Sequence, residues 1–104
     1  MKTIKDYEEF QSLIKQELMV VIAKTKTCNV CKPLTEKLNH FMEDYPSIQA
    51  YQLYLEDVEI FQGQHLVFTV PTIIVFSESK EILRESRFID FAKIERLFHL
   101  YLSH

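Results

Sequence analysis

Two short runs constrain the fold of this chain more than any other feature: Leu18-Met19-Val20-Val21-Ile22-Ala23 and Thr72-Ile73-Ile74-Val75-Phe76. Both are rich in β-branched residues and neither carries a charge. A strand that is apolar at successive positions has two faces to bury. Each run therefore predicts a central strand of a sheet covered by helices on both sides. Neither run approaches the length needed to cross a bilayer.

The segments between them supply those helices. Asp6 to Gln16 predicts a helix: Asp6 caps it, Glu9 completes a capping-box pattern, and Tyr7, Phe10, Leu13 and Ile14 form one apolar face. A second helix is expected from Cys28 to about Tyr45. Pro33 falls early, where a missing N–H costs little, and Leu34, Leu38, Phe41 and Met42 form the stripe. Ala50 to Leu55 alternates as a strand, and Val58 to about His65 predicts a helix interrupted near Gly63, the only glycine. Ser77-Glu78-Ser79-Lys80 predicts a turn into a hairpin strand from Glu81 to Phe88. Asp90 caps a last helix carrying Phe91, Ile94, Leu97, Phe98, Tyr101 and Leu102. An edge strand around Thr3-Ile4 would complete an α/β domain spanning residues 1–104.

Composition removes several function classes. With 47% hydrophobic and 26% charged residues, the chain has the apolar content of a globular domain and not of a disordered one. A net charge of -3 argues against nucleic-acid binding, which needs clustered Lys and Arg. The first residues show no signal-peptide pattern, so a cytoplasmic location without membrane contact is expected; a monomer is expected as well.

The chemistry centres on Cys28-Asn29-Val30-Cys31, which follows a buried strand and opens a helix. A helix N-terminus presents unpaired N–H groups and the positive end of the dipole, and both favour a thiolate. Cys28, in the entering loop, can meet a substrate, and Cys31, about one turn on, can attack Cys28. The gap is short enough to close a disulfide. Lys26 and Lys32, together with Lys24, add positive charge, and no acid occurs from Thr25 to Thr35. Two other readings stay open: inert core cysteines, or a metal site. Zinc would need two further ligands, and His40, His65, His99 and His104 show no paired spacing. No metal and no cofactor beyond the cysteine pair is therefore expected.

With Val70-Pro71-Thr72 placed just before the second buried run, and about forty residues after Cys31, the chain resembles the thioredoxin family. The resemblance runs from the first helix to the last. It implies a three-layer α/β/α fold, a mixed sheet of four or five strands, and a cis Pro71 facing a redox-active Cys28–Cys31 disulfide. It assigns substrate contact to Val70, Pro71, Val30 and Phe88. It also implies partners: disulfide-containing proteins and a reductase that the sequence does not identify.

The chain departs from the family pattern in five respects. There is no tryptophan, and Asn29-Val30 replaces Gly-Pro. Ile22 stands where the family has a buried acid, six residues before the first cysteine. The lysine that neighbours that acid falls near Gln52 or Leu53, and the loop around Arg87-Phe88-Ile89 lacks the usual glycine. The expected function is reduction of protein disulfides by Cys28 as nucleophile and Cys31 as resolving thiol. Without an acid at Ile22, resolution should limit turnover at neutral pH and accelerate as pH rises. The alternatives are a binding module or redox sensor with little turnover, and metal or cluster carriage by two protomers.

Overall fold

The computed structural model describes residues 1–102 and runs β1 (Lys2–Ile4), α1 (Tyr7–Leu13), β2 (Met19–Lys24), α2 (Cys31–Met42), β3 (Gln49–Tyr54), α3 (Glu59–Gln64), β4 (Thr72–Ser77), β5 (Lys80–Ser86) and α4 (Phe91–Leu102). His104 lies outside the described residues. The five strands form one mixed sheet in the order β1-β3-β2-β4-β5. β3 runs parallel to both β1 and β2, whereas β4 runs antiparallel to β2 and β5.

The alternation along β2 divides the core between the two faces of the sheet. Met19, Val21 and Ala23 pack with Phe10 of α1 and Phe61 of α3. Val20 and Ile22 pack with Leu38 of α2 and with Ile94 and Phe98 of α4. Each large apolar side chain fully removed from water contributes about 1.5–3 kcal/mol. The fold is thus a three-layer α/β/α arrangement with its most apolar strands, β2 and β4, at the centre.

Several boundaries differ from those the sequence predicts. α1 ends at Leu13, not Gln16, and Asp6 Oδ1 accepts from the Glu9 N–H at 2.8 Å. The Glu9 carboxylate reaches back to the Lys5 N–H at 2.8 Å, one residue before the cap. α2 begins at Cys31, three residues later than expected, because Cys28 to Val30 form a turn in which the Cys31 N–H meets the Cys28 carbonyl at 3.3 Å. Gly63 lies inside α3 and does not interrupt it. The hairpin turn narrows to Glu78 and Ser79, whose φ values of 48° and 75° suit a two-residue connection that matches strand twist. β5 ends at Ser86, leaving Phe88 in the following loop. Lys24 belongs to β2 and not to the polar loop after it, and it is buried.

Candidate functional site

Cys28 and Cys31 are joined in a disulfide at the entrance to α2, with their Cα atoms 5.4 Å apart. Cys28 is half-buried and Cys31 is 2% exposed, so the two sulfurs differ in access to a partner. The difference follows from chain geometry. Cys31 is the first helical residue and turns under α2, whereas Cys28 lies in the entering turn. The first turn of α2 holds no acidic residue, and Val30, at its cap, makes no side-chain cap hydrogen bond. The positive end of the helix is therefore left facing the cysteines.

Two clefts flank the turn. Val30, inside it, borders a cleft of about 330 Å³ together with Pro71, Phe88 and Leu34. The cysteines border another of about 380 Å³, shared with Lys24, Thr35 and Tyr54. Four of the residues that the sequence singles out thus fall at this end of the sheet: Cys28, Cys31, Val30 and Pro71. Phe88 joins them and is 91% exposed. The Val70–Pro71 peptide bond is cis. The Val70 side chain does not border the first cleft; it packs on the core cluster shared by α1 and α3.

Arg87, which borders the same cleft as Phe88, has φ of 65°. This is the left-handed region that favours glycine. Arg87 holds this conformation without the glycine that the family resemblance implies here.

The lysines play unequal parts. Lys26 is exposed, and its Nζ pairs with Asp57 Oδ1 at 2.9 Å, while its backbone N–H meets Glu56 Oε2 at 2.8 Å. The Asp57 hydrogen bond raises its pKa above the ordinary lysine value, so much of its charge is matched locally. Lys32 is exposed on α2. Thr35 is a residue that sequence reasoning missed, and Lys24, expected to add charge from a polar loop, is instead buried in β2. Lys24 Nζ donates to Thr35 Oγ1 at 2.9 Å, and Thr35 Oγ1 donates to the Cys31 carbonyl at 2.7 Å. The strand alternation Val20, Ile22, Lys24 was the signal, since it carries Lys24 onto the face covered by α2.

Ile22 is fully buried, opposite Gln52 of β3 and Ile73 of β4. The nearby acids Glu56 and Asp57 are exposed. Among the described residues no cluster of three or more His, Cys, Asp or Glu side chains is arranged to hold a metal ion. No helix there is long and apolar enough to cross a membrane.

A mixed sheet between two helical layers, with a Cys-x-x-Cys disulfide at a helix entrance, defines a dithiol–disulfide domain. Comparison with known proteins makes the class specific. The thioredoxin family profile matches residues 2–98, and the chain belongs to that family. It is 31% identical over 96 residues to the thioredoxin-like protein YdfQ of Bacillus subtilis, covering 88% of this chain and 86% of that one. With thioredoxin-1 of Saccharomyces cerevisiae it shares 30% identity, covering 77% and 79% of the two chains. In three dimensions it is similar to Plasmodium falciparum thioredoxin, with a TM-score of 0.85 at 20% identity over 97% of this chain and 99% of that one. A thioredoxin-like protein from Bacillus cereus is 33% identical, with a TM-score of 0.71 over 88% and 95% of the chains.

Proposed function

We propose that this protein is a thiol–disulfide oxidoreductase that reduces protein disulfides. The observation that carries the reading is the unequal burial of the paired cysteines at the entrance of α2, beside a cleft edged by exposed Val30 and Phe88. In the reduced protein the Cys28 thiolate attacks one sulfur of a substrate disulfide and expels the other as a thiolate. This forms a mixed disulfide. The Cys31 sulfur then attacks Cys28 Sγ, the bond from Cys28 to the substrate breaks, and its electron pair leaves with the substrate sulfur. The Cys28–Cys31 disulfide that results is returned to the dithiol by a separate reductase.

Pro71 and Val30 form the apolar wall against which an extended substrate segment lies, Val70 offers its backbone, and Phe88 covers the segment from the opposite loop. Lys32 adds positive charge at the rim, and Lys26 adds less because Asp57 meets its ammonium at 2.9 Å. The chain acts as a monomer in the cytoplasm, with no nucleic-acid or membrane partner and no cofactor beyond its own disulfide.

A second reading, a binding module or redox sensor with little turnover, draws on the apolar Ile22 at the place of the family's buried acid. Insulin reduction with dithiothreitol separates the two. Turnover well above that of Cys28→Ser supports the enzyme, and turnover equal to it supports the module. Expression of Cys31→Ser then traps substrates on Cys28 for identification.

A further inference from the structure

Lys24 is 5% exposed, and a buried ammonium ordinarily has a carboxylate to meet it. Among the described residues Lys24 has no ion pair. Its Nζ meets the neutral hydroxyl of Thr35, and the Tyr54 ring lies 5.1 Å away. Thr35 in turn holds the Cys31 carbonyl, fixing Lys24 beneath the first turn of α2. An ammonium has three donors, and the one hydroxyl uses only one of them. The cleft that Lys24 borders is the one the two cysteines border.

We propose that Lys24 is the charge partner of the Cys31 thiolate: a buried cation without a counter-ion in the disulfide form gains one when the disulfide opens. The proposal rests on Cys28 and Cys31 being a working dithiol. It replaces the expectation that Cys31 ionises unaided because Ile22 is apolar. During resolution Cys31 gives up its proton and its sulfur pair attacks Cys28 Sγ. The bond from Cys28 to the substrate sulfur breaks, and that sulfur leaves with the pair and takes up a proton. Lys24 remains an ammonium throughout and lowers the cost of the Cys31 thiolate.

The other charged and titratable groups on this cleft do not substitute for it. Lys26 is paired with Asp57, Lys32 and Glu36 lie exposed on α2, and Tyr54 presents its ring to Lys24 from β3. Burial without a compensating charge holds the Lys24 pKa below the ordinary lysine value, which agrees with an unmet cation.

The test leaves Cys31 as the only thiol. In a Cys28→Ser background, thiolate formation is followed by ultraviolet absorbance against pH, with and without Lys24→Gln. Glutamine keeps a donor for Thr35 and removes the charge. The Cys31 pKa should rise by about 1 unit or more when the charge is lost. An unchanged pKa overturns the proposal. If Lys24→Gln does not fold, the coupling is read from the lysine. NMR titration of the Lys24 side chain should give a lower pKa in Cys28→Ser/Cys31→Ala than in Cys28→Ser, and equal values overturn the proposal. Neither titration involves a substrate. An inactive protein in the insulin assay would therefore refute the oxidoreductase reading without altering this result.

Discussion

The Tyr7 hydroxyl lies 3.1 Å from Nε2 of His65, tying α1 to the end of α3 across 58 residues of sequence. The imidazole also packs edge-on to Phe10 at 5.0 Å and against Phe61 at 4.4 Å. This apolar surround is the main reason its pKa lies below the ordinary imidazole value. The Arg84 charge acts in the same direction, and Glu81 opposes it. The unfolded chain therefore takes up a proton at His65 at a higher pH than the folded one. Stability from this residue is fully present above the unfolded imidazole pKa of about 6.5 and is lost as pH falls from there toward the lower folded value. Urea denaturation at pH 7.5 and 5.5 should show this loss in the native protein and a smaller one in His65→Gln. An equal loss in both would remove His65 as its source.

Gly63 offers a gain in stability. It sits inside α3 without a positive φ, and a Cβ added there meets nothing within 4 Å. Gly63→Ala should stabilise the protein by about 0.5–1 kcal/mol, the ordinary difference in helix propensity. Thermal unfolding that shows no gain or a loss would contradict this.

The unequal access of the cysteines predicts unequal reactivity. In reduced protein at neutral pH, iodoacetamide should label half-buried Cys28 before Cys31, which is 2% exposed. Peptide mass spectrometry over a time course reads the order. Faster labelling of Cys31 would reverse the assigned roles.

Phe88 separates binding from stability. At 91% exposure it adds little to the core, so Phe88→Ala should shift folding stability by no more than about 0.5 kcal/mol. The same change should raise KM several-fold for a protein disulfide and leave reduction of a small aromatic disulfide unchanged. Equal effects on both substrates would place Phe88 outside the docking surface.

What the sequence discloses here depends on how local each cause is. β2 and β4 are legible because every residue of Val20–Ala23 and Ile73–Val75 is apolar and mostly β-branched, which needs no tertiary knowledge. The Cys28/Cys31 pair and Pro71 are legible from spacing. The start of α2 is not, since Val30 caps it without a side-chain hydrogen bond and leaves no signature. Lys24 is hidden for a different reason. In the string Lys24-Thr25-Lys26-Thr27 it reads as a solvated loop, and only α2, bringing Thr35 across the end of β2, buries it. Tertiary packing here overrides local polarity; at exposed Glu78, Ser79 and Arg87 it is the tight turn or loop that demands a left-handed φ of non-glycine residues, which their side chains do not announce.

Ile22 and Lys24 should be coupled through the face of β2 they share. Both project from the face of β2 that α2 covers, two residues apart, and both are buried. Ile22 contributes packing with Leu38, and Lys24 contributes a charge that no carboxylate among the described residues meets. An aspartate at Ile22 would lose the packing and bury a carboxyl group, both unfavourable. It would also place an acid beside the unmatched ammonium, which offsets part of the cost. Ile22→Asp should therefore destabilise the oxidised protein less when Lys24 is present than when it is replaced by methionine. A double-mutant cycle of Ile22→Asp and Lys24→Met, read by urea denaturation, should give a coupling of about 1–3 kcal/mol favouring the Asp–Lys pair. Additivity within about 0.5 kcal/mol would mean that the Lys24 charge does not reach the Ile22 position. The buried charge on this face would then be open to solvent through the cleft and not held within the protein.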